Sequence, residues 1–117
     1  MWSWMIIALT ACVVMVLIGK GSLSKKRLDA AKARELVKKG ATLVDVRSPQ
    51  EFYSGHLDGA LNLPMDRFAH HAPEEFPSPD ATIIVYCRSG MRSLKAKMLL
   101  EELGYRDVHD LGAISNW

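Results

Sequence analysis

The segment Cys87-Arg88-Ser89-Gly90-Met91-Arg92-Ser93 places one thiol, two guanidinium groups, two hydroxyls and a glycine in seven consecutive positions. A cysteine attacks as its thiolate, and a helix N-terminus, loop N–H groups and neighbouring arginines all favour that form. Gly90 lets the backbone curl, and a ring of inward N–H groups holds an anion. The residue types and their spacing describe an anion-binding cup. Cys87 is the nucleophile at its base, and Arg88, Ser89, Gly90, Met91, Arg92 and Ser93 form its wall. A buried inert cysteine at a strand end is the plain alternative, but it leaves both arginines and the glycine unexplained.

Such a cup needs a strand to deliver the thiol and a helix to receive the loop. Thr82–Tyr86 (TIIVY) is the strongest strand in the chain and runs straight into Cys87. A helix is expected from Arg92 to Leu103, with Leu94, Met98, Leu99 and Leu103 on its buried face and Gly104 as its stop. Upstream, Asp29 can cap a helix over Ala30–Lys39 that buries Leu36 and Val37 and ends at Gly40. Thr42–Val46 reads as a buried strand, and Ser48-Pro49-Gln50-Glu51 as the start of a helical turn with a capping box. Ala60–Leu63 is a second strand closed by Pro64. Met65–His70 is a short helix, and Pro73–Asp80, with three prolines, is a loop. Val108–Leu111 is the last strand. Strands separated by helices imply an α/β fold with a central, mostly parallel sheet flanked by helices. Ligands of such folds bind beyond the carboxyl ends of the strands, where Cys87 lies.

Charge is distributed very unevenly. None of the 28 charged residues lies before Lys20, and 16 of the first 19 residues are apolar. Residues 20–39 carry eight basic and two acidic side chains, and residues 40–117 carry seven basic and eleven acidic, so a +6 neck and a −4 body sum to the net +2. Residues 1–19 are expected to form one transmembrane helix, since Met1–Ile18 at ~1.5 Å per residue nearly spans a ~30 Å hydrocarbon core. Trp2 and Trp4 suit one membrane interface. Residues 20–27 are a basic juxtamembrane linker that should remain in the cytoplasm, which leaves the N-terminus outside and residues 28–117 as a cytoplasmic domain at the inner membrane. A cleaved signal lacks its basic start and cleavage site. Leu9-Thr10-Ala11-Cys12 resembles a lipobox, but the apolar run continues past Cys12. The small residues Ala8, Ala11 and Gly19 form no packing motif that would choose between a homo-oligomer and a membrane-protein partner. The acidic body speaks against nucleic-acid binding, and two cysteines 75 positions apart make no disulfide framework.

In several segments, taken in order, the chain resembles the rhodanese family of sulfurtransferases in its single-domain form. Asp45-Val46-Arg47 with Glu51-Phe52, then Gly55-His56-Leu57-Asp58-Gly59-Ala60-Leu61-Asn62-Leu63-Pro64, then the Cys87–Ser93 loop carry the likeness. Leu100–Gly104, Val108, Leu111-Gly112 and Trp117 complete it over residues 28–117. The resemblance implies a rhodanese-like domain in which the Cys87 thiolate takes the outer sulfur of a small anionic donor such as thiosulfate. The persulfide then passes that sulfur to a thiol or cyanide acceptor in a ping-pong scheme that needs no cofactor. Arg88, Arg92 and the N–H groups up to Ser93 would hold the donor's sulfonate. Two arginines favour a thiosulfate-like dianion over 3-mercaptopyruvate. Related phosphatases and arsenate reductases use a wider C-x5-R loop, whereas this chain has C-x4-R. A non-enzymatic binding or regulatory module at the membrane is the alternative from another class.

Other residues attract weaker readings. Asp45 and Arg47 leave the strand beside that of Cys87, where they either brace the active loop or form a plain surface or subunit ion pair. Glu51 and His56 are expected to make structural hydrogen bonds. His70-His71 has no third ligand spaced to complete a metal site and reads as solvated loop. Lys95 and Lys97 read as solvated helix positions. Ala113 stands where the family has the second glycine of its closing pair, which should alter the final turn. The chain stops at Trp117, which is expected to trim one wall of the cleft.

Overall fold

A computed structural model describes residues 26–117; the expected membrane helix over 1–19 and most of the linker lie outside the described residues. Helix α1 (Ala30–Lys38) begins where the Asp29 carboxylate accepts the Lys32 N–H at 2.9 Å. It is followed by β1 (Thr42–Asp45), the short helix α2 (Pro49–Tyr53) and the two-residue strand β2 (Leu61–Asn62). A 3-10 turn (Met65–Arg67) leads into α3 (Phe68–Glu75). Then come β3 (Thr82–Cys87), α4 (Met91–Glu102), β4 (Asp107–Ala113) and a final 3-10 turn (Ile114–Asn116).

The sheet has the order β2-β1-β3-β4 with every pair parallel. The period-two alternation of β3 divides the core. Ile83, Val85 and Cys87 face a cluster with Phe68, Ala72, Ala96 and Leu100 from α3 and α4. Ile84 and Tyr86 face the other side, where Ala33, Leu36 and Val37 of α1 cover them. A strand buried on both faces must be apolar throughout, which is why TIIVY carries no charge.

Two elements differ from expectation. Helix α3 passes through Pro73, so the stretch before Phe76 is not loop. The proline leaves the Ala69 carbonyl without its helical N–H partner. Buried Phe68, Ala72 and Phe76 hold the helix regardless, and the Tyr105 hydroxyl donates to the Ala72 and Phe76 carbonyls. Helix α4 buries Ser93, Ala96 and Leu100, whereas Met98 and Leu103 are exposed. Small residues at 93 and 96 let the helix lie close on β3, and that close approach decides the buried face ahead of hydropathy. Lys97 is also largely covered, with Glu101 3.8 Å away.

Strand β4 carries a bulge. Val85 pairs with Asp110 but Tyr86 with Gly112, so Leu111 is extra. The Asp110 carboxylate accepts the Gly112 N–H at 2.8 Å and pins the bulge, and Gly112 takes φ +85°, which suits glycine. Ala113, by contrast, has φ −76° and ψ 144° and pairs with Cys87. The position needs no left-handed backbone, so alanine fits there unstrained.

Candidate active site

Strand β3 ends at Cys87, which is fully buried, and the chain turns at once into α4 through Arg88, Ser89 and Gly90. Gly90 caps α4 with φ +100°, a left-handed conformation that favours glycine and curls the loop. Its N–H lies 2.9 Å from the Cys87 sulfur. Ser93, one turn into α4, is buried with its hydroxyl 3.6 Å from that sulfur and 3.1 Å from the Gly90 carbonyl. In the thiol form the S–H donates to Ser93 Oγ, which donates onward to Gly90; once the proton leaves, the hydroxyl can turn to the sulfur.

Burial pushes the Cys87 thiol up, but the Ser93 N–H and hydroxyl and the Gly90 and Ser89 N–H groups outweigh it, so the pKa lies below its ordinary value. A group with a lowered pKa is charged at lower pH, so the thiolate is populated nearer neutrality than in a free cysteine. The pH profile of iodoacetamide alkylation at Cys87 should therefore have its midpoint below the free-thiol value of about 8.5. Ser93→Ala should move the midpoint up by about half a unit and slow alkylation at neutral pH about threefold. A profile unchanged in Ser93→Ala would show that the hydroxyl has no hold on the sulfur.

The remaining loop residues divide by direction. Arg88 and Ser89 are exposed at the mouth, and Met91 is 75% exposed, so only its backbone belongs to the cup. Arg88 lines a cleft of about 450 Å³ with Arg47, Gln50, Glu51, Ser54, Gly55 and Ile114, and among the described residues it has no ion-pair partner. Arg92 turns instead to α2, with Nη1 2.6 Å from Glu51 Oε1 and Nη2 2.9 Å from Oε2. Glu51 is at the same time the capping-box residue of α2: it accepts the Ser48 N–H and hydroxyl at 3.2 and 3.1 Å. The Arg92 hydrogen bonds, helped by Ser48, hold the Glu51 carboxyl down to about 2. The Arg92 charge is thus balanced within the protein, and Glu51 ties α2 to the catalytic loop. The expected structural hydrogen bonds of Glu51 include a direct bridge to the cup, which is more than the sequence indicated.

Asp45 and Arg47 form a buried ion pair. Arg47 Nη2 is 2.8 Å from Asp45 Oδ2, with the side chains 8% and 0% exposed. Arg47 also donates to the Gly55 carbonyl at 2.7 Å, and Asn62 donates to the Asp45 and Arg47 carbonyls at 3.0 Å. The pair is neither a surface nor a subunit ion pair, since it is buried within the chain, and none of these hydrogen bonds goes to the Cys87 loop. The pair fixes the end of β1 and the segment after α2, and so one wall of the cleft. His56 stacks on Phe52 with ring centroids 3.7 Å apart. His71 lies 3.6 Å from Glu74 on α3, so the histidine pair is helical, not loop. Among the described residues no group of three or more His, Cys, Asp or Glu is placed to hold a metal ion.

Fold and loop together delimit a class of α/β domain: one with a buried cysteine under backbone N–H groups at the end of a parallel strand. Residues 29–117 match the Rhodanese-like domain family. The thiosulfate sulfurtransferase GlpE of Ectopseudomonas mendocina is 36% identical over 79% of this chain and 84% of its own. The thiosulfate sulfurtransferase PspE of Escherichia coli is 33% identical over 62% of this chain and 70% of its own. A solved rhodanese with anions from E. coli superposes with a TM-score of 0.64 at 31% identity, covering 67% of this chain and 92% of its own. The chain belongs to the rhodanese family of sulfurtransferases.

Proposed function

We propose that this chain is a membrane-anchored enzyme that moves sulfane sulfur from thiosulfate, or a similar small dianion, to a thiol or cyanide acceptor. The observation that carries the reading is the Cys87 sulfur under the Gly90 N–H, with Arg88, which has no ion-pair partner among the described residues, exposed on the same loop. The Cys87 thiolate attacks the outer sulfur of thiosulfate. A new Sγ–S bond forms, the donor's S–S bond breaks, and sulfite leaves with the electron pair. The loop N–H groups then face the terminal sulfur of the persulfide anion. An acceptor thiolate attacks that sulfur, leaves as a persulfide and returns Cys87 to its thiolate, with no net redox change.

Incubation of the reduced protein with thiosulfate should add about 32 Da to the Cys87 peptide, reversed by cyanide or a thiol. A folded, reduced protein that gains no mass at neutral pH is a binding module instead. Mass gain on Cys87 lost in Cys87→Ser, with no aryl phosphate hydrolysis, separates sulfur transfer from phosphatase chemistry.

The anchor rests on the uncharged first 19 residues and the basic neck that follows. Among the described residues no helix is long and apolar enough to cross a membrane. The protein should resist alkaline carbonate extraction from membranes, and protease added outside intact cells should leave residues 28–117 uncut. Release by carbonate, or digestion from outside, would defeat the proposed topology.

A further inference from the structure

We propose that Arg27 is a positioning residue for the catalytic loop: its side chain, lodged between Gly90 and Gly112, keeps the Gly90 N–H on the Cys87 sulfur. The inference rests on the sulfur-transfer reading of that loop and adds a residue two positions before the segment that matches the family. The chain is pinned just after Arg27, where the Leu28 N–H donates to the Asp110 carbonyl at 2.8 Å and Leu28 packs on the α1 side of the core.

From there the Arg27 side chain runs over two glycines. A Cβ at Gly112 would stand 2.8 Å from Arg27 Cδ and 2.9 Å from Nε, and a Cβ at Gly90 would stand 2.8 Å from Cζ. All three distances are closer than a real side-chain carbon approaches another atom, so a side chain at either glycine would displace Arg27, which lies over both with its outer side exposed. Both are buried and both hold positive φ, one at the cap of α4 and the other in the β4 bulge. The bulge and the loop cap thus form the two faces of a slot that the arginine occupies. A guanidinium is planar and weakly hydrated, which suits it to lie flat on bare backbone where an ammonium would not. Among the described residues its guanidinium has no carboxylate or carbonyl partner, so its charge is uncompensated beside the anion-binding loop.

Arg27 acts through Gly90. The Gly90 N–H is the donor 2.9 Å from Cys87, and a plug on the outer side of that residue limits how far the donor can swing away. Without it the loop widens, the hydrogen bond lengthens and the thiolate loses support.

The test uses the full-length protein in detergent and follows iodoacetamide alkylation of the Cys87 peptide across roughly pH 5 to 10. Arg27→Ala should raise the midpoint by about half a unit and slow alkylation at neutral pH about threefold. Arg27→Lys keeps the charge without the plane and should resemble alanine more than wild type. An unmoved midpoint in folded Arg27→Ala overturns the inference. So does a uniform change at all pH values, which would report access only, or an Arg27→Lys profile that matches wild type. Should Arg27→Ala fail to fold, Arg27→Lys carries the test on the same criterion. Wild-type protein that takes no sulfur from thiosulfate would defeat the sulfur-transfer reading yet leave the alkylation midpoints readable, so the two failures are distinguishable.

Discussion

Arg47→Leu is expected to lower the stability of the chain by about 3–5 kcal/mol, because it leaves the Asp45 carboxylate buried and without its countercharge. At about 4–8 °C per kcal/mol for a domain of this size, the melting temperature should fall by at least about 12 °C. Asp45 has no solvent to turn to, since its side chain is 0% exposed. The remaining donors to it, the Arg47 backbone N–H at 2.9 Å and the Tyr86 hydroxyl, cannot replace a guanidinium. The same reasoning predicts that Asp45→Asn on the Arg47→Leu background recovers most of the loss, because a neutral amide costs far less to bury than a lone charge. Urea unfolding of the two variants measures this directly. If the single and the double variant lie equally far below wild type, the loss comes from packing and not from the orphaned charge.

The second large effect concerns donor capture. Arg92→Ala is expected to lower kcat/KM for thiosulfate by at least about 30-fold, chiefly through KM. Truncation removes a cation beside the cup and also frees Glu51, whose carboxylate loses the Arg92 hydrogen bonds that hold it at about 2 but, with an ordinary value near 4.5, is still ionised at neutral pH. A wall that was neutral as a pair becomes a negative wall facing a dianion. Adding Glu51→Gln to Arg92→Ala should restore about tenfold, because the repulsion goes while the missing cation does not return. Added salt should narrow the gap between the two variants by screening. Equal rates in the single and double variants, at low salt, would mean that Glu51 exerts no repulsion. The pair's acid response has a definite sign. A carboxyl with a lowered pKa stabilises the fold above its unfolded value near 4.5, and that contribution disappears as pH falls through about 2. The link between α2 and the catalytic loop is therefore intact throughout the neutral range.

Much of this arrangement is written locally in the sequence. The Asp29 cap, the Ser48–Glu51 capping box, the TIIVY strand and the Cys87–Ser93 cup each depend on residues within a turn of one another, and the structure forms each of them. What the sequence does not reveal comes from distant partners. Glu51 meets Arg92 across 41 positions, and nothing in either neighbourhood names the other. The capping contacts occupy only Oε1 of Glu51, and Arg92 takes both oxygens, sharing Oε1 with the cap. Helix α4 misled for a related reason. Hydropathy ranks Met98 and Leu103 above Ser93 and Ala96, yet close approach to β3 rewards small side chains. The helix through Pro73 was hidden because its support comes from Tyr105, more than thirty positions later. Arg27 gives no sequence signal at all; its role depends on two glycines meeting in space.

The parallel pairing also has a consequence for how the protein is made. Strands β1 and β3 pair Asp45 with Tyr86, and β3 pairs Cys87 with Ala113, so the sheet is built from contacts distant along the chain. Non-local topologies of this kind assemble late and slowly. During synthesis Cys87 emerges well before β4, and until β4 docks neither the strand end nor the start of α4 is fixed against it. The donors to the sulfur are local, at Ser89, Gly90 and Ser93, so the lowered pKa depends on the turn from β3 into α4, which β4 then flanks. Among the described residues β4 is the last strand to emerge, so the end of β3 that carries Cys87 is the last part of the sheet to be closed.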